Sequence, residues 1–276
     1  MLRQTKLILS FFIITFPIIS NSDQPIMNMM PRWDNGYGWQ FLYDSICHND
    51  LYLDSSLHKK GFSEEINQLH IQGVYTWDRS IRITAKLPIV MNAYRELVNS
   101  DELSSDQKIT QKDKGLGDLT LALPLKKYFN LMKRTGSYTL APQIRIPLRS
   151  PDEYNVWDHV FGRGVFAGYE TETRQIFFAT GVSYWSFDKN KSDIRHANFD
   201  FGWNIRNNMQ ILWETDAHKE YNGKRYILNG PAIYFRQNDH THYRLEYKKF
   251  SKSTTATGQL DHIGGQRFNI GVGFVY

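Results

Sequence analysis

Two acids, Glu214 and Asp216, stand two residues apart, the spacing that puts both side chains on one face of a strand. Carboxylates so placed serve either as a general acid and base or as counter-charges for Arg residues on neighbouring strands; nothing near them supplies a substrate-binding motif, which favours the second role. A lipid-cleaving serine hydrolase would need a His and a Ser on one wall. His70 and His242 fall on polar strand faces, yet neither has a Ser beside it in phase, and the chain contains no His-x-Ser pair with an Asn nearby. His159, His196, His218, His240 and His262 are scattered at loops and strand ends, too dispersed to specify a metal. Cys47 is the single cysteine, so there is no intrachain disulfide and no Cys-based metal site; it reads as an incidental residue at a strand end. The expectation is a protein that is no enzyme and has neither catalytic residues nor cofactor nor metal.

The elements that carry these residues begin after an export signal. Arg3 and Lys6 precede Leu7 to Ile19, in which only Ser10 and Thr15 are polar, followed by Ser20-Asn21-Ser22. This is the pattern of a secretory signal peptide over residues 1–22, too short for a spanning helix of roughly 20 apolar residues. Removing its two cations takes the net charge of +5 to +3 (5 − 2), too small and too scattered for nucleic acid. Hydrophobic residues are 41% of the chain and no later run approaches a helical span, whereas Tyr 16, Phe 17 and Trp 7 lean toward sheet.

Twelve segments with period-two alternation follow, from Gly36 onward. Tyr37, Trp39, Phe41 and Tyr43 share one face of the first, and Leu119, Leu121, Leu123 and Leu125 one face of the fourth. The last, Phe268 to Tyr276, sets Phe268, Ile270, Val272, Phe274 and Tyr276 on one face and ends the sequence. An open sheet edge does not survive in hydrocarbon, so such a strand is expected to close a barrel by pairing with the first. Short connections at 78, 130–136, 171–174, 206–209 and 237–240 alternate with longer ones at 47–63, 92–115, 149–159, 187–193 and 251–264. Tight periplasmic turns and longer external loops give this pattern.

The expected fold is therefore all-β: a transmembrane, antiparallel, up-and-down barrel of about 12 strands over 36–276, with both termini periplasmic and 23–35 as a periplasmic or lumen-inserted segment. Residues 93–98 are expected to form a helical turn or two in an external loop. Trp39, Trp77, Tyr128, Tyr138, Tyr169, Trp203, Trp213, Tyr234, Tyr243, Phe274 and Tyr276 cluster at the short-turn ends, as an interfacial girdle would. Prolines 88, 124, 142, 147 and 231 each remove a ladder donor, so bulges or strand ends near the rims are expected there. The tenth segment, Arg225 to Phe235, has the weakest phase, since Ile227, Ile233 and Phe235 oppose Tyr226, Leu228 and Tyr234.

If the apolar face meets lipid, the polar face lines the lumen. The lumen-lining candidates are Asp44, His70, Arg82, Lys86, Asp118, Arg145, Asp200, Glu214, Asp216, Arg244, Glu246 and Arg267. Both signs occur, so an internal salt-bridge network is the first expectation and contact with a solute the second.

The stretches GLGDLTLALPL at Gly115 to Leu125 and SYTLAPQIRIPL at Ser137 to Leu148, with the ending RFNIGVGFVY, resemble the outer-membrane barrels of the phenol-degradation MetA-like family of transporters. The resemblance covers most of the chain after the signal and implies passage of small hydrophobic or aromatic solutes. It carries over no catalytic or binding residue, only Gly115, Gly117 and Asp118 at the entry to the fourth strand. It implies localisation in the outer membrane, with lipid, lipopolysaccharide and the barrel-assembly machinery as partners, and a small-molecule solute. A closed structural or lipid-contacting barrel is the alternative, and a phospholipase-type barrel stands behind it.

Overall fold

The computed structural model describes residues 34–53, 56–98, 108–131, 134–150, 154–188, 193–206, 208–220, 224–254, 260–262 and 264–276. The expected signal peptide and nearly all of 23–35 lie outside them. Twelve wall strands form one antiparallel sheet. They are β1 (Tyr37–Leu53), β2 (Ser56–Asp78), β3 (Ile81–Val98), β5 (Arg134–Ile146), β6 (Gly162–Glu172) and β7 (Ile176–Phe187). On the far side follow β8 (Ile194–Arg206), β9 (Met209–Lys219), β10 (Arg225–Arg236) and β11 (Thr241–Thr254). Two strands are interrupted: β4 runs as Lys108–Leu116, Leu119–Ala122 and Leu125–Leu131, and β12 as Leu260–His262 and Gln266–Val275.

Closure is direct. β1 pairs β2 on one side and β12 on the other, with Trp39 opposite Phe274 and Phe41 opposite Val272. The seam ends in reciprocal bonds, Tyr37 N to Tyr276 O at 2.8 Å and Tyr276 N to Tyr37 O at 2.7 Å. Among the described residues each wall strand has a partner on both sides where it crosses the membrane, as hydrocarbon demands.

Alternation decides which side chains meet lipid. Trp39, Ile83, Leu140, Val182, Phe199, Trp213, Leu245 and Ile270 are exposed on the outer face, while Gln40, Thr84, Thr139, Ser183, Asn198, Glu214, Glu246 and Asn269 are buried between them. A soluble protein would invert this arrangement. Aromatic side chains gather at the end carrying the tight turns, in contacts such as Tyr37 with Tyr276 and Phe129 with Tyr138 and Tyr169. Tyr128 and Tyr234, expected in that girdle, instead turn inward: the Tyr128 hydroxyl accepts from Arg82 and the Tyr234 hydroxyl donates to Glu214.

Two expectations about the opposite end are corrected. The long loop expected at 47–63 is a hairpin, in which β1 reaches Leu53 and β2 starts at Ser56. Residues 93–98 are strand, paired to Lys108–Asp113. The cause is a shift of phase at irregularities near His48/Asp50, Asn67/Gln68 and Val90/Ala93, beyond which Leu51, Phe62 and Val98 pack together inside. With 17, 23 and 18 residues, β1 to β3 outrun the roughly 9–11 residues needed to span, so they project past the membrane.

The prolines act within the wall as well as near its rims. Pro88 lies beside the first break in β4, where Gly117 N donates to Pro88 O. Pro142 lies beside the second break, which contains Pro124, and Leu123 N donates to Pro142 O. Donor-less residues are thus matched to gaps in the facing strand. The tenth strand's phase is also settled: Tyr226, Leu228 and Ala232 are buried and Phe235 is exposed. Its ambiguity arose because Ala232 joins Phe177, Ala179, Leu212 and Tyr234 in an apolar patch on the inner face.

Candidate functional site

The interior is divided by depth. At the loop-bearing end a cavity of about 550 Å³ is lined by Asp44, His70, Lys86, Arg145, Tyr154, Trp157, Glu220, Lys224 and Arg267, among others. At the turn end a smaller cavity of about 250 Å³ includes Arg79, Tyr128, Glu170 and Phe177. Between and around them the buried polar side chains bind one another.

Four buried acids, Asp200, Glu214, Asp216 and Glu246, gather on β8 to β11. Asp200 sits directly opposite Glu214, and Asn198 opposite Asp216. Lys248 lies at their centre, its ammonium 2.5 Å from Asp216, 2.8 Å from Glu214 and 3.1 Å from Glu246. Arg244 adds contacts to Glu246 and, at 3.4 Å, to Glu214. Lys248 is absent from the lumen-lining candidates named from sequence, although it continues the period of Arg244 and Glu246. Next along the wall Asp44 takes Arg267 at 2.8 Å, Gln68 at 3.3 Å and His70 at 3.6 Å.

Cations dominate the facing wall of β3 to β5. Arg82 donates to Tyr128 at 2.6 Å and Lys126 binds Glu170 at 2.7 Å. Lys86 is half-buried on the loop-end cavity. The buried Arg145 guanidinium lies 4.9 Å from the Trp185 ring, 5.2 Å from Phe187 and 5.3 Å from Trp157. An Arg held by aromatic faces keeps its charge with few hydrogen bonds.

The connection from β5 to β6 turns into the barrel and docks on the GLGD motif. His159 lies 2.8 Å from Asp118 through Nδ1, and its backbone N–H donates to the same carboxylate at 3.2 Å. Asp113 accepts from Val156 N at 2.8 Å and binds Arg149. Trp157 donates to Gln68 and Tyr154 to Glu64, both at 3.2 Å. Burial and the Glu64 carboxylate hold the Tyr154 hydroxyl far above its usual range. Gly115, at φ +126°, adopts a backbone that favours glycine. Gly117 acts differently, since a Cβ there would stand 2.6 Å from Trp157 and its bareness makes room for the loop. Residues 149–159, expected as an external loop, thus include an inward-folded segment. Sequence could not show this, because its partners are spread from Glu64 to Asp118.

A closed twelve-strand barrel with an apolar belt and a charged interior has the architecture of an outer-membrane β-barrel. The chain is similar in structure to the COG4313 outer membrane channel from Pseudomonas putida F1, with a TM-score of 0.74 and 10% identity over 92% of this chain and 100% of that one. It is also similar to the KdgM porin in complex with disordered oligogalacturonate, with a TM-score of 0.50 and 6% identity over 86% of this chain and 98% of that one. At these identities the likeness speaks for the fold alone. No family model matches the chain and no curated protein matches it in sequence.

Proposed function

We propose that this barrel is a passive channel or facilitator for small, hydrophobic or aromatic solutes, with both termini periplasmic and the loop-bearing end facing outward. The observation that carries this reading is the loop-end cavity of about 550 Å³, whose lining mixes Tyr154, Trp157, Tyr226 and Phe250 with charges of both signs. Aromatic walls offer contact to a flat solute at little conformational cost, and scattered charges keep the path wetted. In this reading the candidates named from the sequence, from Asp44 and His70 through Arg145 to Glu246 and Arg267, line the solute's way past the inward loop. The motif resemblance to the MetA-like family supports the same solute class. Recognition is by shape and charge, with no bond made or broken.

One observation favours a second reading, a barrel closed at mid-depth: Lys248 binds three carboxylates across the anionic wall, with Arg244 tying two of them. Single-channel recording of the purified protein in planar bilayers separates the two. The channel reading expects discrete conductance steps, interrupted by p-nitrophenol and indifferent to glucose. A silent bilayer containing correctly folded, heat-modifiable protein would establish the closed barrel instead.

A further inference from the structure

We propose that His196, His218 and Asp216 form a binding site for a divalent transition metal ion, of the zinc, copper or nickel class, on the inner wall of the barrel. Pairing of β8 with β9 sets His196 directly opposite His218, and Asp216, two residues earlier, shares the same face. All three are buried, and one ligand atom from each lies within 4.8 Å of the other two. The imidazole rings are 5.0 Å apart between centroids.

Independent observations point to a ligand. His218 is buried with both ring nitrogens lacking a hydrogen-bond partner among the described residues. A buried imidazole so placed is costly, and a metal ion on one nitrogen's lone pair would relieve part of that cost. The ring does not lack support, since it stacks on Tyr226 at 4.5 Å. Asp216 is oriented as a metal ligand would be: Lys248 holds Oδ2 at 2.5 Å, leaving Oδ1, now 3.2 Å from His196 Nε2, to turn to a metal. On binding, His196 exchanges that contact for the ion and ligates as the neutral ring.

Charge agrees with a dication. Glu214, Asp216 and Glu246 are three carboxylates, and the full cations bonded to them among the described residues are two, Lys248 and Arg244, an excess of one negative charge (3 − 2). Arg267 binds Asp44 and faces Glu246 and Asp216 from further off. Two imidazoles and one carboxylate suit zinc, copper or nickel, whereas calcium and magnesium prefer oxygen alone. Ligand bonds of about 2.0–2.2 Å require donor atoms about 3.3 Å apart in a tetrahedral site, so side-chain rotation on a rigid pair of strands completes the geometry. Entry is by the loop-end cavity, where Tyr226 is shared with the ring of His218 and where Glu64, Asp158, Glu220 and Asp261 supply an acidic approach.

The test uses the purified full barrel in detergent, titrated with Zn²⁺ by calorimetry and with Cu²⁺ by electron paramagnetic resonance. One ion per chain is expected, with nitrogen couplings from two imidazoles. His196→Ala and His218→Ala should each weaken Zn²⁺ binding by about tenfold or more, while His262→Ala, at the far loop end, should not. Should an alanine variant fail to fold, His218→Gln fills the space with little donor power, and the Cu²⁺ spectrum of the unmodified protein still decides. Absence of ion binding by the folded protein overturns the proposal, as does binding that survives in both His196 and His218 variants. None of these readouts depends on conductance.

Discussion

Glu220, at the loop end after β9, has its carboxyl raised to about 6 by burial, with Lys224 opposing the shift and Asp261 adding to it. Its ordinary value is 4.5, so across that window the folded chain holds a proton that the unfolded chain releases. Stability contributed by this group is fully present below about pH 4.5 and is lost as pH rises through about 6. The displacement from 4.5 to about 6 corresponds to at most about 2 kcal/mol. Glu220→Gln, which imitates the protonated acid, should therefore stabilise the barrel at neutral pH by up to that amount and be without effect near pH 4, as measured by urea unfolding in lipid vesicles. Equal stability of the two proteins at both pH values would remove burial as the cause. At this scale sequence was informative wherever charge followed period two: Asp44, Glu214 and Asp216 all lie buried as their phase required. It was blind to company. Arg145 is held by Trp157, Trp185 and Phe187, drawn from a loop and a strand that no local pattern links to it.

At the scale of the strand the decisive quantity is phase, since a slip of one residue exchanges the two faces. Phe199 is exposed on the outer face of β8 and touches Phe178, whereas Asn198 is buried beside Asp200 and opposite Asp216. An Arg near the midplane on the lipid face costs about 2 to 4 kcal/mol, while one inside finds counter-charges waiting. Phe199→Arg should therefore destabilise far more than Asn198→Arg in urea titrations of protein folded into vesicles. An equal or reversed loss would mean that the faces are exchanged. Strand number and phase were readable because lipid on one side and charge on the other enforce strict alternation through the membrane. Past it, the rule lapses. Leu51 and Val98 turn inward beyond their bulges, so alternation no longer marks β1 and β3 as strands and their extensions looked like loops.

For the whole molecule, closure was legible in Phe268 to Tyr276, a greasy alternating strand that pairs with β1. The inward segment was not, for it is held by long-range contacts such as Tyr154 to Glu64, 90 positions apart. Its anchors give the GLGD motif a meaning beyond a change of chain direction: Asp118 receives His159, and Gly117 leaves space for Trp157. If this segment sets the width of the path, loosening it widens the path without altering the wall. Asp118→Ala combined with Trp157→Gly removes the buried Asp118–His159 hydrogen bond and the ring that fills the cavity's edge, and the wall pairing of Leu119–Ala122 with β3 and β5 stays in place. Single-channel recordings should then show a larger conductance step than the unmodified protein, with weaker interruption by p-nitrophenol because an aromatic contact is gone. A step of unchanged size from correctly folded protein would move the constriction away from the loop. The narrowest point would then lie at Lys248 and its three carboxylates, where Lys248→Met would disturb the current most.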